Sequence, residues 1–232
     1  IAAEILHQMR NRERERRAQR KRREQEIRLH MFVLAVGAAL LLFLVIVGIG
    51  RWREAVAERK RLEAERALQE REEELLSDSV LEYEDLVKYY AEEEGIYEYV
   101  PVLLAIMEVE TKGERDDVMQ SSESAGLEPN SLGPEASIAQ ACDYFRGLVE
   151  RAENTGVDDK TIIQAYNYGP GYIYYVEENG GVHSFDLAVD YAEEMSGGRT
   201  SRYTHPIADD YGNWMYLYGN MYYVKLVEQY LP

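Results

Sequence analysis

Two carboxylates seven residues apart, Glu110 and Asp117, have the types and spacing that chemistry could use. In the segment PVLLAIMEVETKGERDDVMQ, residues 101–120, Leu103, Ile106 and Met107 recur at helical spacing. Glu110 lies three and four residues beyond the last two, on the same apolar stripe. A carboxyl group in apolar surroundings without a cationic partner has its pKa raised, because desolvation penalises the ionised form. It then keeps its proton near neutrality and can serve as a general acid. The helix is expected to break at Thr111, Lys112 and Gly113, which leaves Asp116 and Asp117 in a polar loop that keeps at least one of them ionised. One protonated acid and one charged carboxylate are the pair that glycoside cleavage uses. Glu108 is rotated off the Ile106 and Met107 stripe and is expected to face solvent.

The elements that must position these groups can be read on either side. Residues 80–93 show helical spacing in Val80, Leu81, Leu86, Val87 and Tyr90, and Gly95 ends the run. After the acid helix, MQSSESAGLEPNSLGPEAS has no sustained apolar period and reads as a loop, the kind of segment where binding groups concentrate. Ser137 is expected to cap a helix that buries Ile138, Ala141, Cys142, Phe145 and Leu148. Asp158 or Asp159 caps the next, which leads through Thr161, Ile162, Ile163 and Ala165 into Tyr166, Asn167, Tyr168, Gly169, Pro170 and Gly171. The glycines there permit a sharp turn and a close approach by a ligand. Residues 197–213 read as a long polar loop of lid type.

Three blocks in this order, AIMEVET with DDVMQSSES, SIAQACDYF and QAYNYGPGYI, followed by the tail YGNMYYVKLVEQY, cover nearly all of residues 95–231. In them the chain resembles the lysozyme-like superfamily, in the branch of goose-type lysozymes and lytic transglycosylases. Within that branch it is similar to the CwlT-like muramidase domains of Gram-positive wall hydrolases. The resemblance implies a mainly α fold and cleavage of the β-1,4 bond between N-acetylmuramic acid and N-acetylglucosamine in peptidoglycan. It also implies Glu110 as general acid and Asp117 as the second catalytic carboxylate. Gln120 would bind sugar, with Ser121, Ser122 and Glu123 on the same wall, and Tyr166 and Asn167 would face the acid across the cleft. Tyr168 and Tyr172 are the tyrosines placed to touch sugar, since a ring with a polar end suits stacking and hydrogen bonding together. The family usually has Ser and then Gly-Gly after the acid; here Thr111 keeps a hydroxyl while Lys112 adds bulk and charge.

Composition places this domain in the cell. Residues 1–30 hold ten Lys or Arg against five Glu and read as a basic cytoplasmic arm. Residues 31–50, MFVLAVGAALLLFLVIVGIG, carry no charge and are long enough at helical rise to cross a bilayer core of about 30 Å as one transmembrane helix. The N-terminal flank (11–30) has nine Lys or Arg and the C-terminal flank (51–70) six, which puts the N-terminus inside and the bulk of the chain on the wall side of the membrane. Residues 51–76 read as a charged helical stalk with oppositely charged residues three and four apart. Residues 77–232 have the size of one globular domain.

From residue 75 onward nine Lys or Arg face thirty Asp or Glu, a balance of −21 that argues against nucleic-acid binding. The single cysteine, Cys142, excludes an intrachain disulfide and reads as a buried small hydrophobe. His183 and His205 stand alone, so no metal ligand set and no cofactor motif is present in the sequence.

The expected partners are peptidoglycan glycan strands, a lipid bilayer through residues 31–50, and proteins of division or wall synthesis. Three readings stay open on sequence: a muramidase, a lytic transglycosylase giving 1,6-anhydro ends, and a catalytically weak scaffold of the wall-synthesis machinery that keeps the fold.

Overall fold

The structure is a computed structural model that describes residues 20–24, 28, 30–34, 37, 40–42, 47–63 and 75–231. The chain divides into two compact units between Glu65 and Arg66. In the first, the described residues are helical, and residues 47–63 form an unbroken stretch. Of the expected membrane helix, residues 35, 36, 38, 39 and 43–46 lie outside the described residues, as do residues 64–74 of the expected stalk. Among the described residues no helix is long and apolar enough to cross a membrane.

The second unit is mainly helical. Its elements are α1 (Asp78–Leu81), α2 (Glu84–Glu93), α3 (Val100–Glu110), α4 (Pro134–Thr155), α5 (Asp159–Tyr168), α6 (Gly171–Glu178) and α7 (Phe185–Ser196), then strands β1 (Thr200–Arg202) and β2 (Trp214–Tyr216), and last α8 (Tyr223–Val227). The expected opening helix over 80–93 is divided. The Tyr83 N–H turns back to the Val80 carbonyl and closes a first short turn before α2 begins.

α3 is the centre of the unit, packed against α1, α2 and α8. Leu103, Leu104, Ala105, Ile106 and Met107 are all fully or almost fully buried. Each large side chain among them contributes about 2 kcal/mol through the area removed from water. Burial on every side corrects the expectation for Glu108. This residue is buried, and its carboxylate accepts hydrogen bonds from the Ser77 N–H (2.9 Å) and hydroxyl (2.8 Å). An amphipathic helix has a wet face for such a residue; a helix enclosed on all sides has none.

α4 packs against α2, α5 and α6, and α5 in turn against α8. α4 begins at Pro134, three residues before the expected Ser137 cap, because proline at the first helical turn has its φ preset and needs no N–H partner. Cys142 on this helix is buried, and burial pushes its thiol up to about 12. Residues 197–213, expected as an irregular loop, carry β1 and a 3-10 turn at Pro206–Tyr211. β1 pairs antiparallel with β2, Thr200 opposite Tyr216 and Arg202 opposite Trp214.

Candidate active site

Glu110 is the last residue of α3 and stands in a cleft of about 440 Å³ whose lining also includes Gln120, Ser121, Glu123, Tyr166 and Asn167. Its Oε1 accepts a 2.6 Å hydrogen bond from the Tyr223 hydroxyl at the start of α8. Burial raises the Glu110 carboxyl above its ordinary value; the Tyr223 hydroxyl opposes this, and the negative charge of Asp117 adds to it. The net effect is a carboxyl group biased toward keeping its proton, held in one orientation by a single donor.

The motif at the end of α5 supplies another part of the cleft lining. Tyr166 donates its hydroxyl to the Met119 carbonyl at 2.8 Å, so its ring is fixed. Asn167 Oδ1 accepts from the Asn220 N–H at 2.6 Å, which leaves its amide nitrogen for other partners. Gly219 makes that contact geometrically feasible. Its φ is +48°, and a β-carbon there would lie 2.5 Å from Asn167 Oδ1 and 2.6 Å from the Tyr168 ring.

Asp117 is placed very differently. It is 1% exposed, and its two oxygens accept four hydrogen bonds: Ser121 N–H (2.9 Å) and Ser137 hydroxyl (2.6 Å) on Oδ1, Ser122 N–H (3.1 Å) and Ser122 hydroxyl (2.5 Å) on Oδ2. Burial works against its charge, but the bonds from Ser122, Ser137 and Ser121 outweigh it and hold the carboxyl below its ordinary value. Thr111 closes the same loop, donating its hydroxyl to the Val118 carbonyl at 2.7 Å. Gly113 lies against the backbone of Ser79 at φ +69°, and a β-carbon there would sit 2.6 Å from the Ser79 carbonyl oxygen.

The other sequence-predicted positions fall into two groups. Gln120, Ser121, Glu123, Tyr166 and Asn167 line the cleft with Glu110, as does Tyr168, whose hydroxyl is turned away to the Ala188 carbonyl. Gln120 is held in the left-handed region at φ +50°, with Nε2 donating to the Asp117 carbonyl (3.0 Å) and to Asn130 Oδ1 (2.9 Å). Ser122 is fully buried and serves Asp117 instead of lining the wall, because its hydroxyl also accepts from the Ser131 and Leu132 N–H groups.

Tyr172 is fully buried too. It packs edge-on to Tyr168 and Tyr191, with its hydroxyl 2.9 Å from His183 Nδ1. The expectation that it reaches a ligand is therefore corrected: the α6 face that carries it turns into the core. His183 is half-buried in this contact, and burial lowers its pKa.

Sequence reasoning missed Tyr223, Ser137 and Tyr144. Tyr144 lines the cleft from α4, its ring 5.6 Å from that of Tyr166. Tyr223 lay within the tail block YGNMYYVKLVEQY, but nothing in the tail points to Glu110, 113 positions away.

The lysozyme-like family model matches residues 77–231. An uncharacterized membrane protein of Bacillus subtilis, YocA, is 35% identical over 156 residues, covering 67% of this chain and 69% of its own. The bifunctional muramidase/DL-endopeptidase CwlT of B. subtilis is 41% identical over 104 residues, 44% of this chain and 31% of that protein. A crystal structure described as similar to a lipoprotein of the NLP/P60 family, from Staphylococcus aureus, is 48% identical with a TM-score of 0.67, covering 68% of this chain and 54% of that one. The chain thus spans about half of the solved relative and under a third of CwlT. With the end of α3, the serine-rich loop and the tyrosine–asparagine motif gathered at one cleft, the chain belongs to the lysozyme-like family.

Proposed function

We propose that residues 77–231 form a peptidoglycan N-acetylmuramidase that cleaves the β-1,4 bond from N-acetylmuramic acid to N-acetylglucosamine, with Glu110 as the general acid. The observation that carries this reading is the environment of Glu110: partly buried in a cleft of polar donors, raised in pKa, and oriented by Tyr223. Glu110 gives its proton to the glycosidic oxygen, the bond from C1 to that oxygen breaks, and the N-acetylglucosamine portion leaves with a free 4-hydroxyl. Positive charge on the remaining oxocarbenium-like sugar is balanced by the Asp117 anion and by the Glu110 carboxylate that the step creates. Water then adds at C1 and passes a proton to the Glu110 carboxylate, which gives a reducing end and restores the acid.

A second reading, the lytic transglycosylase, is favoured by one feature. The four donors around Asp117 occupy the positions through which a carboxylate would attack C1 or hold a water, so Asp117 is suited to act as a fixed charge. The sugar's own 6-hydroxyl can then close on C1, passing its proton to Glu110. The two outcomes differ by one water in product mass.

The test is digestion of purified glycan strands by the 232-residue chain and its Glu110→Gln variant, with the products weighed. Loss of release by about a thousandfold in the variant supports the reading. Release unaffected by the substitution would overturn Glu110 as the acid, and none from the native chain would favour the scaffold reading.

We further propose that residues 31–50 tether this unit to a bilayer. Support comes from the uncharged run and from the exposed apolar side chains of Met31, Phe32, Val33, Leu34, Leu41 and Leu42. Recovery of the chain in the soluble fraction of lysed cells would refute the tether.

A further inference from the structure

A second cavity, of about 280 Å³, shares Glu110 and Asn167 with the first and is lined as well by Lys112, Tyr203, His205 and Asn220. Lys112 is its conspicuous member. Its φ of +56° places a long side chain in the left-handed region, a conformation that costs a non-glycine residue about 1 kcal/mol and is kept where surrounding structure or function requires it. The side chain is exposed, and its ammonium makes no ion pair or hydrogen bond with the described residues.

In a segment with nine cations against thirty anions, an unpaired ammonium at the edge of the cleft is a local reversal of sign.

Glu108, Val109 and Leu226 also line this cavity, with the Glu108 carboxylate taking both Ser77 donors on Oε2, and part of the remaining wall is aromatic. The rings of Tyr203 and His205 are nearly parallel (16°) at 5.9 Å, and Tyr203 is backed by Tyr222 at 5.6 Å and 11°. His205 Nδ1 accepts from the Ile207 N–H, so a neutral ring carries its proton on Nε2, free to donate.

Resting on the muramidase reading, we propose that this cavity receives an anionic substituent carried by the glycan, foremost the carboxylate-bearing peptide stem, with Lys112 as its charge partner beside the Tyr203–His205 wall. A neutral chitin-type oligosaccharide has no group for Lys112. Peptide carboxylates and the phosphodiesters of wall polymers both do, and a binding experiment separates them.

The 232-residue chain carrying Glu110→Gln would be titrated with three ligands: neutral chitotetraose, a disaccharide-tetrapeptide, and a glycan fragment bearing a phosphodiester polymer. The same titrations would be run with Lys112→Gly and Lys112→Arg added. Glycine suits a positive φ, so Lys112→Gly folds at least as well, which a thermal melt verifies. The preference for the peptide-bearing over the neutral ligand should fall by about tenfold in Lys112→Gly, recover in Lys112→Arg, and shrink in the parent as salt is raised. A loss seen with the phosphodiester ligand alone would reassign the anion and overturn the peptide stem as its source. A charged-to-neutral preference unchanged by Lys112→Gly, or no binding of any ligand, would overturn the proposal. Because binding is read in an acid-less variant, failure here is separate from failure of the native chain to cleave glycan.

Discussion

Seven residues separate two carboxylates that the fold treats in opposite ways. Glu110, at the end of the central helix, meets one hydroxyl donor and otherwise loses water, so its pKa is raised. Asp117, 1% exposed, meets four donors from three serines, and its pKa is lowered. At Asp117 the four donors outweigh burial, whereas at Glu110 the single donor does not. The two are also coupled, because the charge on Asp117 raises Glu110. The two pKa values are thereby pushed apart, Glu110 up and Asp117 down.

The largest effect expected from disturbing this arrangement is at the saturated carboxylate. Asp117→Ala leaves buried serine donors without acceptors and should lower stability by about 3 kcal/mol, measured by denaturant unfolding. Its pH signature follows from the lowered pKa of the folded state. The stabilisation from Asp117 is complete above the ordinary aspartate value and is lost as pH falls through the folded-state value, so the acid limb of the stability curve should flatten in the variant. At Glu110 the sign reverses: stability is complete below the ordinary glutamate value and is lost as pH rises through the folded-state value.

Tyr223→Phe comes next. It removes the one bond that favours the ionised acid, so the alkaline limb of the pH–rate profile should move up while the rate drops about tenfold from lost orientation. An alkaline limb that moved down would contradict the donor-count account.

The smallest effect separates core tyrosines from cleft tyrosines. Tyr172→Phe should cost about 1 kcal/mol in a melt, from the lost contact with His183, and leave glycan cleavage within about twofold.

Much of this site is legible in the sequence because it is local. The break after Glu110, the loop that follows and the Tyr166 and Asn167 motif are each set by residues a few positions apart. What escapes is set at long range. Ser137 holds Asp117 from 20 positions away and Tyr223 holds Glu110 from 113, and no periodicity encodes either contact. Glu108 escapes because stripe reasoning presumes a helix with a solvent face, which α3 lacks. Tyr172 escapes because a tyrosine reads the same on a cleft wall and in a core; only packing against Tyr168, Tyr191 and His183 decides. Residues 200–202 pair with 214–216, but strands of three residues are too short to leave a pattern to read.

The lone thiol of α4 has a practical corollary. Sealed in the core and disinclined to ionise, Cys142 can be alkylated only when the unit opens, so reductants should leave its melting untouched while the rate of thiol labelling reports how often the native structure lets go.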